Sequence, residues 1–333
     1  MRPRRTPLSV RFLGFIGLVA ALSFSSVPAS ADFRLERQLP LDSGGTFVLD
    51  AAVGSVVIRG DSTSGANVTI TSRRDDVEDR FDIDFASSPG TATVTIRRKG
   101  GFERLFRDWY RGGVQITVHV PAGAATDLKT AGGSIDAQDL ANARVRTSGG
   151  SLTVAGIRGD VDGHTSGGSI RLRDVRGKAT IETSGGSIDV TDVGGTLRAH
   201  TSGGSIHITN VAGDIDADTS GGGVDIRGAA GHVQAHSSGG SLTVGFAQGN
   251  NRGGDVSTSG GGVRAEIDPS VALSLDASTS GGSVTADVPV TVQGTIGRGR
   301  LQGQLNGGGE LLRLHTSGGS IRISPTGTST ARR

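Results

Sequence analysis

One short phrase, Thr-Ser-Gly-Gly-Ser-Ile, constrains this chain more than any other feature, because versions of it recur ten times. They begin at Thr130 (TAGGSI), Thr147 (TSGGSL), Thr165, Thr183 and Thr201 (TSGGSI each), and Thr219 (TSGGGV). The rest begin at Ser237 (SSGGSL), Thr258 (TSGGGV), Thr279 (TSGGSV) and Thr316 (TSGGSI). The first step is 17 residues, the next five are 18, and then come 21, 21 and 37. A period this short and this regular points to stacked coils, in which each unit buries its apolar side only against its neighbours.

The coil from Ser169 to Gly186 shows how the residues would be used. Ile170 and Leu172 fall on one side of a strand while Arg171 and Arg173 fall on the other. A corner follows at Asp174, and a second strand puts Ala179, Ile181 and Thr183 on one side. Neighbouring coils fill the same places with Leu197/Ala199/Thr201, Ile215/Ala217/Thr219 and Val233/Ala235/Ser237. The corner is taken by Asp139, Gly156, Asp174, Asp192, Asn210 and Gly228, the residue types that tolerate a left-handed backbone. The expected fold class is therefore all-β: a β-solenoid of ~18-residue, two-strand coils, with rungs about 4.8 Å apart and roughly nine or ten of them. The preceding Thr of each TSGG turn is expected to point a methyl inward while its hydroxyl bonds a turn amide.

Residues 32–125 read as an N-terminal β-rich capping region, ahead of a TSGG-repeat solenoid over 126–324 and a loose tail over 325–333. Alternating runs at 46–49, 55–58, 68–70, 93–96 and 114–118 are separated by turn residues. Nearly all aromatic residues after position 31 lie here, and Phe246 is the one that follows Tyr110. The wider spacings after Thr258 predict broader, irregular coils at the other end.

One stretch departs from the strand pattern. Phe102, Leu105, Phe106 and Trp109 fall at i, i+3, i+4 and i+7, one face of a short helix over 102–110. It reads either as a plug over a sheet or solenoid end, or as a docking helix with Arg104, Arg107 and Arg111 beside the aromatics.

The first 31 residues combine Arg2, Arg4, Arg5 and Arg11 with an apolar run from Phe12 to Phe24 and then Ala29-Ser30-Ala31. That is the pattern of a cleaved secretory signal, with an apolar run too short to span a membrane. Cleavage would remove four arginines and no acid, moving the formal charge from +2 to −2. Composition thus gives no case for a nucleic-acid partner. With no cysteine, lipobox anchoring, disulfides and thiolate chemistry are excluded.

The run Val118–Gly123 (VHVPAG), the TSGGSI ladder and the closing stretch Leu305–Ile323 (LNGGGELLRLHTSGGSIRI) together resemble the bacterial "putative adhesin" β-strand-repeat family of unknown function. The resemblance implies a β-solenoid on an exported or envelope protein. It supplies no catalytic residues.

The chemistry legible in the chain is sparse. Calcium-binding β-rolls carry a carboxylate in the Gly-rich turn, whereas here Gly-Gly is followed by Ser or Gly and an aliphatic residue. His-Thr-Ser at 164–166, 200–202 and 315–317 recurs as part of the repeat and lacks a nucleophile elbow. More distinctive is the residue just before each TSGG: Arg146, His164, Glu182, His200, Asp218 and His236 on successive coils. Stacking would align His164, Glu182, His200, Asp218 and His236 in a column with the makings of a metal-ligand or pH-sensing strip. The plainer reading is that unlike or neutral partners were placed to avoid like-charge stacking, and a second column, Arg171, Asp189, His207 and Asp225, alternates in the same way.

No cofactor is expected. The function expected is that of an exported, non-enzymatic solenoid whose polar strand faces bind an envelope component, a glycan or a protein. The alternatives are a periplasmic scaffold or signalling partner docking through the 102–110 helix and, third, an enzyme acting on polysaccharide.

Overall fold

The computed structural model describes residues 33–100, 113–292 and 297–326. The signal-like segment 1–31, the aromatic stretch 102–110 and the end of the tail lie outside the described residues.

Alternation of apolar and polar residues does here what it should. In the coil Ile170–Val175 and Ala179–Thr183, the side chains of Ile170, Leu172, Val175, Ala179, Ile181 and Thr183 are all buried. Each strand pairs in parallel and in register with its counterpart one coil away, as Ile170 does with Leu152 and Ile188. Among the described residues two sheets result, of 14 and 15 strands. Between them lies one continuous, mostly aliphatic core running from Leu39 to Ile323, with Phe47, Phe81 and Phe246 its aromatic members among the described residues.

Large and small side chains alternate inside the second strand of each coil. Ala143 is followed by Val145, Val161 by Gly163, Ala179 by Ile181 and Leu197 by Ala199. From Ala143 to Leu197 a bulky residue in one coil thereby sits over a small one in the next, while Leu197, Ile215 and Val233 then stack on one another beside Ala199, Ala217 and Ala235.

The two turns are held differently. At the corner, Asp139, Asp174, Asp192 and Asn210 have φ of 60°, 52°, 58° and 57°, and Gly156 and Gly228 have φ of 68°. Asp, Asn and Gly are the types that enter this region at least cost. In the TSGG turn the second glycine is required for a close approach, not for a left-handed backbone. A Cβ on Gly186 would lie 2.1 Å from the carbonyl oxygen of Gly168, in the coil beneath. The Thr183 hydroxyl closes that turn: it donates to the Gly168 carbonyl at 2.8 Å and accepts from the Gly186 amide at 3.4 Å. The same hydroxyl-to-carbonyl bond recurs at Thr147, Thr165, Thr201, Thr219, Ser237 and Thr258. Alongside it, the Ser187 amide donates to the Ser169 hydroxyl at 3.3 Å, a second bond from coil to coil.

Both ends of the stack depart from chain order. At the start, strands Thr46–Ala51 and Ser55–Ser62 form a coil wedged between two later ones. Thr46–Ala51 pairs with Thr91–Arg98 on one side and Ala125–Thr130 on the other. Ser55–Ser62 pairs with Gln115–Pro121 and Ile135–Gln138 in the other sheet. The boundary drawn at residue 125 therefore falls inside both sheets, which run on without a break into the N-terminal strands.

At the far end, the last coil, Leu311–Thr316 and Ile321–Pro325, slots between the coils of Thr258 and Thr279. The 37-residue step is thus not one broad coil, as the spacing suggested. It is an excursion in which the chain makes the end layer, folds back antiparallel through Arg300–Leu305, and returns to fill the layer beneath. With the N-terminal strands included, the parallel stack counts twelve two-strand coils, more than the TSGG phrases alone suggest.

Candidate functional site

The outward positions of the strands form straight columns, because the in-register pairing repeats every side chain one rung higher. On the sheet whose strands end in Thr, Arg146 pairs with His164, then Glu182, His200, Asp218 and His236 follow in unbroken register, with Ser257 and His315 beyond. The structure thus brings His164, Glu182, His200, Asp218 and His236 into one line on an exposed face.

Within that line the neighbours meet as pairs. His164 Nδ1 lies 3.6 Å from Glu182 Oε2, and His200 Nδ1 lies 3.8 Å from Asp218 Oδ2. His236 Nδ1 is 3.1 Å from the Ser257 hydroxyl. Among the described residues, no three His, Asp or Glu side chains converge closely enough to hold a metal ion. A column one strand-width apart spreads its ligands along a line, whereas a metal needs them around a point.

A second column on the same sheet is more strongly charged. Arg144 stands between Asp127 and Asp162, at 3.9 and 3.2 Å, and Arg146 reaches Asp162 at 2.9 Å. Further along, Arg198 meets Asp216 at 2.9 Å and Arg313 meets Asp255 at 3.2 Å. These pairs are exposed, and each is worth about 0–1 kcal/mol. Their consequence is for pattern: charge is compensated rung by rung along the face.

The opposite sheet repeats the device, with Arg171, Asp189, His207 and Asp225 in register. Arg264 and Arg322 are neighbours in register, the exception, and Arg322 turns to Asp287 at 2.8 Å.

The His-Thr-Ser triplets hold no nucleophile and base. Thr165, Thr201 and Thr316 are buried, with their hydroxyls donating to the carbonyls of Gly150, Gly186 and Gly261 at 2.7, 2.8 and 2.6 Å. The His before each lies on the outer side of its strand. Phe102, Leu105, Phe106 and Trp109 lie outside the described residues. Their segment joins Thr91–Arg98 to Gln115–Pro121, the place in that coil where the repeat coils carry a TSGG turn. Among the described residues no helix is long and apolar enough to cross a membrane.

Comparison with known proteins yields a family. The Toastrack DUF4097 family model matches residues 47–257. No curated protein matches the chain. Among solved structures, a "putative adhesin" of Bacteroides fragilis is 12% identical, with 87% of this chain and 97% of that chain covered and a TM-score of 0.36. A "putative cell adhesion protein" of Clostridium sporogenes is 12% identical, covering 88% and 99%, with a TM-score of 0.25. A "putative lipid binding protein" of Parabacteroides distasonis is 12% identical, covering 87% and 96%, with a TM-score of 0.34. Likeness at this level says nothing of what this chain binds.

Proposed function

The chain belongs to the Toastrack DUF4097 family, and from that premise we propose that it is an exported, non-enzymatic solenoid serving the cell envelope as an adhesin-like binding module. Its two polar strand faces hold the envelope component, a glycan or a protein. The observation that carries this reading is the register: outward side chains line up along straight columns, and many charged ones meet an opposite charge one rung away. Such a face offers many weak contacts at fixed spacing, and a repeating partner gains affinity from their number. Preorganisation lowers the ordering cost of each contact. Acid–base catalysis, by contrast, asks for groups converging on one reacting atom. Export is supported by the basic, apolar and small-residue pattern of the first 31 residues.

A second reading, a scaffold docking through residues 102–110, is favoured by one observation. The strands it connects, Thr91–Arg98 and Gln115–Pro121, form the outermost parallel coil at that end of the stack.

Co-sedimentation with peptidoglycan sacculi, outer-membrane vesicles and detergent-solubilised inner-membrane proteins separates the two. Saturable binding that survives Phe106→Ala with Trp109→Ala, and falls when Arg144, Arg198 and Arg313 are changed to Gln, supports the strand faces. Binding lost only in the aromatic double variant would overturn them in favour of the scaffold.

A further inference from the structure

The corner of the solenoid, which neither strand face includes, is concave. Because one residue per coil turns left-handed, the chain bends away from the sheet and then returns, and stacking these bends opens a groove of about 940 Å³. It runs from Ala122 to Ala230 across successive coils, about 30 Å at one rung spacing per coil. One rail is the corner column, with Asp139, Asp174, Asp192 and Asn210. The other carries Arg158 and Arg176 at one end and shrinks to Gly194, Ala212 and Ala230 at the other. The lining between the rails is mostly carbon.

We propose that this groove is a binding site for a linear, uncharged polysaccharide, lying along the solenoid axis. The inference rests on the envelope-binding reading above and gives it a ligand class and a separate place. Three features of the groove select the occupant.

Its polar groups are side chains. The amides of Arg176, Gly194, Ala212 and Ala230 already donate to the carbonyls of Ile157, Val175, Val193 and Val211, so the groove has no free strand edge there to capture a peptide backbone. Its period also favours a sugar chain: an extended peptide, at about 3.3 Å per residue, comes back into step with rungs about 4.8 Å apart only at every third residue. A chain of pyranose rings, at close to one ring per rung, stays in step.

Carbon lining flanked by carboxylate, amide and guanidinium groups suits the apolar faces and hydroxyl edges of sugars. The rails carry both signs of charge, which disfavours a polyanion and gives an acyl chain no dry enclosure. Asn210 Nδ2 donates to Asp192 Oδ1 at 3.0 Å, which holds that carboxylate in place on its rail.

The repeat itself supplies a fold-preserving test. Glycine occupies the corner at Gly156 and Gly228 with φ of 68°, so Asp174→Gly with Asp192→Gly removes two carboxylates and keeps the backbone at home. Ala212 is exposed, and Ala212→Trp fills the groove from the other rail. Calorimetric titration of the full chain with cellohexaose and chitohexaose, beside a hexaglutamate peptide and a polyuronate oligomer, reads the outcome.

The expected result is saturable binding of at least one neutral hexasaccharide and of neither polyanion. Both groove variants should weaken it by roughly tenfold or more, the loss of one or two hydrogen bonds to charged groups, with unchanged circular dichroism and melting. No binding of either hexasaccharide, or binding indifferent to both groove variants, overturns the groove. If envelope co-sedimentation persists in that case, the strand-face reading stands without it; if that is absent too, both fall.

Discussion

Two glycines that are neighbours in the TSGG turn carry unequal weight. A Cβ on Gly185 would have its nearest contact at 3.5 Å, an ordinary distance, while on Gly186 it would press into the backbone beneath at 2.1 and 2.4 Å. Gly185→Ala should therefore change stability by no more than about 0.5 kcal/mol. Gly186→Ala should cost about 1–3 kcal/mol, as overpacking against rigid backbone does. Paired thermal melts check the contrast, and equal losses would contradict it. The Thr183 hydroxyl makes a parallel case, since Thr183→Val leaves the Gly168 carbonyl without its donor. A loss of about 1–3 kcal/mol in denaturant titration is expected, against little change for Thr183→Ser, because Ser237 makes the same bond at 2.7 Å. At this scale the sequence was readable: residue type at Asp139, Asp174, Asp192 and Asn210 announces the left-handed corner that the φ values display. That the second glycine is forced by the coil below was not readable, because the contact joins residues a full period apart.

The strands explain both what was legible and what was hidden in the elements. Alternation marked the inner and outer faces because burial on one side of a pleated strand leaves a period of two. Once the period was known, the charge columns followed from spacing alone. The groove was not legible, since Arg158 and Arg176 look like ordinary exposed turn residues until the bends are stacked. The edge strands show how the ends avoid further pairing. Val284–Ala286 and Thr291–Val292 are very short, while Phe81–Ser88 carries Asp82 and Asp84 and Phe33–Leu39 carries Arg34, Glu36 and Arg37.

Next to the Phe81–Ser88 edge, the short helix Val77–Arg80 is preceded by Asp76, gripped by Arg74 at 2.7 Å and Arg80 at 2.6 Å. The hydrogen bond from Arg74 is the largest influence and, with that from Arg80 and the charges of both arginines, outweighs the opposing effect of burial and lowers the Asp76 pKa from 3.8 to about 2. A depressed carboxylate contributes stability that is whole above its unfolded value and is lost as pH falls through the folded one. The contribution should thus be intact above pH ~4 and fade toward pH ~2. Titration of the Asp76 carboxyl by NMR should give a midpoint near 2, rising toward 3.8 in Arg74→Ala. A midpoint unmoved by that substitution would contradict the assignment.

As a whole molecule, the solenoid is a stack whose first and last coils are held inside it. A coil with neighbours on both sides has its strand edges paired, so neither the first nor the last coil in chain order is left as a free edge. This continuity is what gives the strand faces and the corner groove a single fixed period. Sequence alone could not reveal the order. The phrases at Thr279 and Thr316 are nearly identical, and either would stack acceptably on the coil of Thr258. What decides is topology: residues 273–305 can fold back as antiparallel strands and finish the end, which the short final segment cannot.

A disulfide trap reads the order directly, in a chain that has no cysteine of its own. Ser257 and His315 face outward on paired strands, 58 residues apart in sequence, whereas Ser257 and Ser278 are separated by the intervening strand. Mild oxidation of Ser257→Cys with His315→Cys should close a cross-link, because adjacent rungs lie about 4.8 Å apart and within disulfide reach. Ser257→Cys with Ser278→Cys, at about twice that distance, should remain open. The reverse outcome, with the second pair closing and the first open, would mean that the coils stack in chain order and that the last one is not held within the stack.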